Sequence, residues 1–445
     1  MKTLIAIVYL LLCSSLLIAQ DLAHISKPKP IQLRSGFSLQ SNWYQVNGIS
    51  PRQPGFSWFL SGTPVLEVYG MAVPFQFTLS NHHQRIQQPF NQFGINPQYK
   101  WAKLHLGYSS MRFSPFTLSN YRFFGLGTSL NPGKLRFGAL YGRFQKAVSK
   151  TNSLTGLEGE YFNTHAIPAF ERKAFGIKLG IGSERNYVDL IFLKGKDEPT
   201  SAEIEETPTE NAVVGLSCQL TFFKKLIWKT DLAASAFTRD QFSDSLAMGT
   251  FSGQSLVSKI ILPRATSQIL TAGETSLNFR GKYLQLGLKY RRVDPDYKSM
   301  GAYYFQTDVE QWLFSPSFSS KNRKWFLSGS IGRERNNLYQ QRPVTTTRLI
   351  GSANLNWNAS RNFGLNAQYS NFGISQNPLA SNLSDTTLLE QIAQNFSLVP
   401  RVNWQGHGSS HSLSFALRSR GLSIKRKNLR NSRAVDSMSG KGGAL

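Results

Sequence analysis

The stretch Leu284-Gln285-Leu286-Gly287-Leu288-Lys289-Tyr290-Arg291 alternates apolar side chains with polar or small ones at every second position. The stretch Phe363-Gly364-Leu365-Asn366-Ala367-Gln368-Tyr369-Ser370 repeats this pattern. A period of two is typical of a β-strand with one apolar face and one polar face. Similar runs, separated by turn residues, recur from about Ile31 to Ser423, and they number roughly eighteen.

Two-sided strands over most of a 445-residue chain indicate an all-β fold, and they fit a transmembrane antiparallel β-barrel with lipid outside and water inside. After the first residues, no segment is long and apolar enough to cross a bilayer as a helix. A membrane protein without such helices requires a closed barrel, because lipid satisfies no backbone donors. We therefore predict a barrel of roughly 18 or more strands.

The N-terminus predicts export. Lys2 precedes an apolar run from Thr3 to Leu17, and Leu17-Ile18-Ala19 before Gln20 offers a cleavage site. We expect the chain to reach the outer membrane of a Gram-negative cell. The predicted division is a signal peptide at 1–20, a periplasmic lead segment at 21–30, a β-barrel at 31–423 and a basic irregular tail at 424–445.

The alternation stops near Lys425, and the sequence ends on Gly442-Gly443-Ala444-Leu445 instead of a strand with a terminal aromatic residue. Two interpretations remain open for this end: a tail that hangs in the periplasm, or a truncated chain that lacks closing strands. An unclosed sheet would leave bare edges in lipid, at a high cost. We expect truncation more than a functional tail.

Cysteine and histidine give little support for a disulfide or a metal site. Cys13 lies in the leader and Cys218 is then alone, which excludes an intrachain disulfide and a cysteine-based metal site. The adjacent pair His82-His83 has no carboxylate close in sequence, whereas a metal site normally needs three or four ligands. We predict no metal and no cofactor.

The chain has 50 Lys and Arg residues against 25 Asp and Glu, a formal net charge of +25. Solvated basic loops, a basic lumen that favours anions, and nucleic-acid binding are three interpretations of this charge. The leader argues against nucleic acid as a partner. For the second interpretation, the lumen-facing candidates are Arg136, Lys289 and Arg291.

A catalytic role for His105 is not expected. Ser109 lies four positions away, which is too far for a hydrogen bond along a regular extended strand at about 3.3 Å per residue. The sequence supplies no third member of a triad. We predict no catalytic residues and no enzymatic activity.

Three local predictions can be compared with the structure. If Asn131-Pro132-Gly133-Lys134 forms the turn of a hairpin, Leu130 faces Leu135 and Thr128 faces Phe137, with Arg136 kept off the apolar face. Residues 376–394 are interpreted as a loop with a short helix. The aromatic segment 294–304 is interpreted as an ordered loop that folds into the mouth or lumen of the barrel.

Several stretches of the chain resemble a group of uncharacterised outer-membrane β-barrel proteins of Bacteroidota type. The stretches that carry the resemblance are Pro89–Ile95, His105–Tyr108, Phe113–Leu118, Leu130–Lys134, Tyr141–Phe144 and Arg292–Tyr303. The resemblance covers most of residues 31–423 and implies a barrel in the outer membrane, with no implied reaction. The C-terminus departs from the pattern of that group.

Together these features predict an outer-membrane pore or transport conduit with a basic lumen for small anionic solutes. The first alternative is a structural or secretion-associated barrel whose loops bind envelope protein partners. The second is an outer-membrane hydrolase, which the missing triad disfavours. Outer-membrane lipid is an expected partner, and the sequence leaves the solute and the oligomeric state open.

Overall fold

A computed structural model describes residues 31–49, 55–69, 71–81, 91–148, 168–201, 205–246, 262–303, 306–378, 387–406 and 409–428. These residues form 23 β-strands of one sheet and a single 3-10 turn at Pro199–Ser201, with no α-helix among them. The predicted signal peptide and lead segment, as well as His82-His83, lie outside the described residues.

The strands follow the alternating runs of the sequence. They are β1 Ile31–Arg34, β2 Phe37–Trp43, β3 Phe56–Gly62, β4 Val65–Val68, β5 Met71–Ser80, β6 Gln92–Ile95, β7 Gln98–Tyr99, β8 Ala102–Arg112, β9 Ser119–Leu130, β10 Leu135–Gln145, β11 Glu171–Gly182 and β12 Tyr187–Glu198. They continue as β13 Glu210–Phe222, β14 Leu226–Thr238, β15 Ser267–Arg280, β16 Leu284–Val293, β17 Val309–Ser319, β18 Trp325–Arg335, β19 Val344–Asn358, β20 Phe363–Pro378, β21 Thr387–Gly406, β22 Ser409–Ser414 and β23 Leu417–Asn428.

The topology is an antiparallel meander in which each strand pairs with its neighbours along the chain. Eight short strands combine into four interrupted ones, namely β1–β2, β3–β4, β6–β7 and β22–β23. The sheet therefore has 19 strand positions, 15 of them filled by a continuous strand. This arrangement confirms the predicted all-β, antiparallel barrel class. Among the described residues, no pairing joins β1–β2 to β22–β23, the two outermost strands.

Connections alternate between short turns and longer loops. Turns 131–134, 183–186, 223–225 and 281–283 lie at one end of the strands, which we call the short-turn end. The opposite end, where β8 and β9, β10 and β11, β14 and β15, and β16 and β17 are joined by longer stretches of sequence, we call the long-loop end. Outer-membrane barrels have the same asymmetry, with short periplasmic turns and longer extracellular loops.

The β9–β10 hairpin keeps the predicted faces with a different register. Leu130 pairs with Phe137 and Thr128 with Ala139, two residues away from the prediction. The reason is the turn, in which Leu135 N donates to Pro132 O at 3.1 Å and Gly133 has a φ of +61°. The turn therefore spans 132–135. A shift of one residue in the turn moves the register by two and leaves each side chain on its own face.

One prediction near the C-terminus was wrong, and the last strand is longer than the alternation of the sequence indicates. Residues 376–378 belong to β20 and β21 begins at Thr387, so no helix lies in the described part of 376–394. β23 continues to Asn428, five residues beyond the predicted barrel boundary at Ser423. In both places cross-strand pairing decides the conformation: β21 pairs with β20 and β23, which side-chain composition alone does not indicate.

Candidate functional site

The two faces of the sheet differ in chemistry. Cross-strand partners define a polar row on one face. It consists of Asp189, Ser217, Asp231, Glu274, Arg291, Gln311, Glu334 and Arg348, one residue from each strand between β12 and β19. The opposite face carries apolar rows such as Leu179, Leu190, Leu216 and Leu232. Because successive residues of a strand point to opposite faces, the alternation of the sequence becomes two separate surfaces.

Curvature identifies the polar face as the concave one. β9 and β16 are seven strand positions apart, about 34 Å in a flat sheet. The loop after β16 nevertheless reaches β9, where Ser119 N donates to Gly301 O at 2.9 Å. Eight extended residues span about 28 Å, so the sheet must bend around this loop. The polar row therefore lines the inside of the wall.

The first of two inward loops is the 113–118 loop, between β8 and β9. Phe113 N donates to Leu118 O at 2.8 Å, and the Ser114 and Thr117 hydroxyls share a hydrogen bond of 2.8 Å. Phe116, Thr117 and Leu118 are buried. The loop rests on small residues of the wall: a Cβ atom added at Gly215 would lie 2.5 Å from Thr117 Cγ2.

The second inward loop is the 294–303 loop, and it docks on the first. The Tyr297 hydroxyl donates to Phe116 O at 2.8 Å, and the Ser299 hydroxyl donates to Thr117 O at 2.5 Å. Asn211 on β13 accepts from Met300 N at 3.0 Å. The described residues of the aromatic segment 294–304 thus fold inward, as the sequence predicted. Both loops fill the concave side of the β8–β16 half of the wall.

The other half of the concave side has no such filling in the described residues. Many of its inward positions carry polar side chains, namely Ser315, Ser317, Ser328, Ser330, Asn354, Asn356, Asn366 and Gln368. They are partly or fully exposed. Hydroxyl and amide groups of this kind are suited to line water.

Arg136, the first predicted lumen residue, lies on the concave side in a close ion pair. Its guanidinium makes two hydrogen bonds to the Asp189 carboxylate, at 2.7 and 2.9 Å, and lies 4.2 Å from the centre of the Tyr187 ring. Asp189 is buried. Gly180 on β11 is the cross-strand partner of both Arg136 on β10 and Asp189 on β12, and its missing side chain leaves room for the ion pair.

Lys289 and Arg291 lie on the same side as Arg136, and their surroundings differ. Lys289 Nζ lies 2.8 Å from a carboxylate oxygen of Glu274. The Arg291 guanidinium lies 5.8 Å from the centre of the Phe116 ring, and its Nε is buried without a hydrogen-bond partner. Within the described residues no ion pair of Arg291 occurs. Of the three candidates, Arg291 retains the most available charge.

The carboxylates of the concave side were not identified from the sequence. Asp189, Asp231, Glu274 and Glu334 occupy the polar row, and each forms an ion pair with a basic side chain. Their inward position could have been predicted, because each carboxylate is at a polar position in the alternating pattern of its strand. The ion pairs of these carboxylates can be predicted only when the register between strands is known, because the partners of Asp189 and Glu334 are on other strands. The lumen is therefore mixed in sign, with a smaller positive excess than the net charge suggests.

A cavity of about 240 Å³ lies where the polar row meets the inward loops. Its lining comprises Pro115, Phe116, Ser119, Glu274, Arg291, Ala302 and Tyr303. One cation, one carboxylate and two aromatic rings thus surround a space large enough for a small organic solute. The cavity lies on the concave side of the sheet, because Glu274 and Arg291 belong to the polar row.

The argument against a His105–Ser109 contact was wrong in its geometry. His105 Nδ1 and Ser109 Oγ form a hydrogen bond of 2.8 Å, because Gly107 between them has a φ of +78° and interrupts the extended strand. The Ser109 hydroxyl donates to Asn96 Oδ1 at 2.8 Å, so the proton that a general base would remove is held by an amide. Both side chains are buried. These contacts satisfy buried polar groups and do not assemble a nucleophile.

Two kinds of feature are absent from the described part of the chain. None of those residues forms a helix that is long and apolar enough to cross a membrane. They also contain no group of three or more His, Cys, Asp or Glu side chains positioned to hold a metal ion.

The chain matches no protein-family model and no curated protein. Solved structures similar to it include OpdQ of Pseudomonas aeruginosa, with 11% sequence identity and a TM-score of 0.39, over 86% of this chain and 97% of that one. OccK2 (OpdF) of the same organism, solved in complex with glucuronate, has 13% identity and a TM-score of 0.38 over 86% and 97% of the two chains. A BenF-like porin from Pseudomonas fluorescens Pf-5 has 11% identity and a TM-score of 0.36 over 86% and 98%.

Proposed function

We propose that this chain is a pore of the Gram-negative outer membrane that admits small anionic solutes along its concave side. The observation that carries the proposal is the contrast between the two faces of one curved sheet. Outward side chains are apolar over a broad band. Inward side chains are mostly polar or small, apart from apolar residues such as Ile191, Leu193 and Val213, which are buried in one cluster with Phe116 and Leu118 of the first inward loop. Such a wall is suited to separate lipid from water.

The height of the apolar band supports a membrane location. On β16 the outward residues run from Leu284 through Leu288 and Tyr290 to Arg292, where charge begins. Eight residues at about 3.4 Å each cover about 27 Å along the strand. With a tilt near 40° this is about 20 Å across the membrane, close to the apolar band of about 25 Å in outer-membrane barrels.

Aromatic pairs support the same placement. Trp325 and Trp357 stack at the short-turn end with ring centroids 4.7 Å apart, and Tyr290 and Trp312 pair toward the long-loop end at 4.4 Å. All four side chains point outward by register. Trp and Tyr side chains favour the two membrane–water interfaces, because one part of each ring is apolar and another can hydrogen-bond.

The passage we propose runs beside the inward loops. These loops occupy the β8–β16 half of the interior, and the Ser- and Asn-rich half from β17 to β20 faces them. In and beside the polar row, cations outnumber carboxylates: Arg136, Lys178, Lys229, Lys289, Arg291 and Arg348 against Asp189, Asp231, Glu274 and Glu334. The excess favours anions at the level of the loops, where the passage is narrowest.

The test is the ion selectivity of the purified mature chain in planar bilayers. Removing the Arg291 charge in Arg291→Ala weakens the attraction of an anion about 6 Å away by about 0.7 kcal/mol in water-like surroundings and relieves the repulsion of a cation by the same amount, so the anion-to-cation permeability ratio should fall roughly tenfold. The matched control is Arg323→Ala, since Arg323 is exposed in the turn 320–324. Reversal potentials in a salt gradient report both ratios.

Three outcomes count against the proposal. Wild-type protein that inserts and conducts no ions refutes the pore, and a stable complex with an envelope protein would then favour the partner-binding barrel. A wild type that prefers cations refutes the anion selectivity. If Arg291→Ala and Arg323→Ala have the same anion-to-cation permeability ratio, Arg291 does not determine the selectivity. We also propose, on sequence resemblance alone, that the chain belongs with the Bacteroidota group described above.

A further inference from the structure

The outward face between β12 and β16 contains a shallow apolar groove of about 540 Å³. Its main lining residues are Leu190, Val214, Leu216, Leu232, Ala234, Gly273, Thr275, Tyr290 and Arg292. The groove exists because Ala234 and Gly273 are small while their neighbours are large. A Cβ atom at Gly273 would closely approach only the flexible end of Leu232, with Cδ2 at 2.8 Å.

The walls of the groove remain exposed in the folded chain. Leu190, Val214 and Leu232 retain 60%, 54% and 46% of their accessible surface. In a lipid-facing band, exposed apolar side chains are expected everywhere. A concave apolar surface is different, because an acyl chain can contact its floor and both walls at once.

The direction of the groove follows a cross-strand row. Leu190, Leu216, Leu232, Gly273 and Arg292 are successive partners on β12 to β16. Because barrel strands tilt by about 40° from the membrane normal, a row perpendicular to them climbs across the membrane. The row begins in the apolar band at Leu190 and ends at the charged edge of that band. An acyl chain lying in the groove would thus have its headgroup beside Arg292.

The charged end of the groove is rich in arginine. Arg292 lies 3.7 Å from the Asp294 carboxylate, and Arg335 forms an ion pair with Glu310. Arg333 is exposed on the same face, where it is the cross-strand partner of Trp312, which in turn pairs with Tyr290. No ion pair of Arg333 occurs among the described residues. Three guanidinium groups against two carboxylates leave a positive excess at headgroup level. Guanidinium groups bind phosphate oxygens well, since several N–H donors lie in one plane.

We propose that this groove binds one acyl chain of a phosphate-bearing lipid, with the lipid phosphate at Arg292. The occupant is lipid because the side-chain walls of the groove are outward apolar residues, and because the groove runs from the apolar band to the charged edge of that band and ends in cations. The inference depends on the outward face meeting lipid, and it does not depend on conduction through the interior.

The experiment is native mass spectrometry of the purified mature chain in detergent, titrated with palmitoyl-oleoyl phosphatidylglycerol. The comparison lipid is a galactosyl diacylglycerol with the same acyl chains and no phosphate. We expect one retained phosphatidylglycerol per chain. Ala234→Phe fills the groove and should weaken this binding about tenfold or more, since each methylene contact that is lost costs roughly fourfold.

Matched variants separate the groove from general effects. Ala353→Phe adds the same ring at an outward alanine of β19, and it should leave binding unchanged. Arg292→Gln should abolish the preference for phosphatidylglycerol over the galactolipid, whereas Arg323→Gln should retain it. If Ala234→Phe does not fold, Gly273→Leu fills the same groove from the neighbouring strand.

The proposal is overturned if filling the groove weakens lipid binding no more than Ala353→Phe does, or if the galactolipid binds wild type as tightly as phosphatidylglycerol. A dimer in the mass spectrum that Ala234→Phe disrupts would assign the groove to a second copy of the chain and would also overturn it. Channel conductance should be the same in wild type and in all groove variants, so a failed pore test leaves this inference open to its own test.

Discussion

The buried hydroxyl of Tyr297 is one of the contacts that dock the two inward loops on each other. Tyr297 is almost wholly buried, and its hydroxyl donates to Phe116 O at 2.8 Å across 181 residues of sequence. Tyr297→Phe keeps the ring and its edge-to-face contact with Phe116, at 6.4 Å between centroids. It leaves a carbonyl oxygen without that donor in a buried place. Such a loss costs about 1–3 kcal/mol.

That cost converts into a measurable opening. At 1.4 kcal/mol per factor of ten, about 1–3 kcal/mol raises the undocked fraction of the loops roughly 5- to 150-fold. Hydrogen exchange followed by mass spectrometry should show this as faster exchange in peptides covering 113–119 and 294–303. The amides of Ser119 and Met300, which donate to Gly301 O and Asn211 Oδ1, are the most informative.

The control is Tyr303→Phe in the same loop. The Tyr303 hydroxyl accepts from Arg122 N at 3.2 Å in an exposed place, where water can replace it, so a much smaller change is expected. Equal exchange in wild type and Tyr297→Phe would refute the reasoning. So would an equal effect of the two Tyr→Phe variants, because the burial of the hydrogen bond would then have no consequence.

Three more predictions test the faces, the loop contacts and the hairpin turn. Burial raises the pKa of Tyr297, so its contribution to docking should persist below about pH 10 and decline as the pH rises further. Above that pH, hydrogen exchange in the wild-type loops should show an extra acceleration that Tyr297→Phe lacks. The same acceleration in both proteins would contradict this assignment. Leu179→Arg places a charge on the outward face and should destabilise the protein in lipid by about 2–4 kcal/mol, whereas Ser330→Arg on the inward face should cost far less. Denaturant unfolding from vesicles measures both losses of stability, and similar values would mean that the faces are wrongly assigned. Gly133→Val forces a β-branched residue to a φ of +61° and should cost about 1–2 kcal/mol in the same assay, and an unchanged midpoint would argue against the turn at 132–135.

Several features of the fold could be predicted from local sequence because they depend on a period of two. The alternation of Leu284 to Arg291 fixes which side chains share a face, and a strand offers only two faces. The strand number, the polar concave side and the inward candidates Arg136, Lys289 and Arg291 follow from the same rule. A register error of two residues, as at the β9–β10 hairpin, preserves every one of these assignments.

Other features depended on contacts between distant parts of the chain. Arg136 lies 53 residues before Asp189, and the pairing follows only once β10, β11 and β12 are placed in register. The His105–Ser109 contact needed the positive φ of Gly107, a departure from the regular strand that the alternation does not encode. The segment 376–394 has a composition that also suits a helix, and in its described residues, 376–378 and 387–394, strand pairing overrode that preference.

By itself the sequence determined the two-sided strands and the chemistry of each face, because these follow from residue type at alternate positions along a single strand. Only the tertiary structure decided which charges neutralise one another, that the 113–118 and 294–303 loops meet inside the wall, and that Ala234 and Gly273 open a groove on its outside. The physical reason is that these properties belong to pairs of residues brought together by curvature and register, and the free energy of each contact depends on both partners.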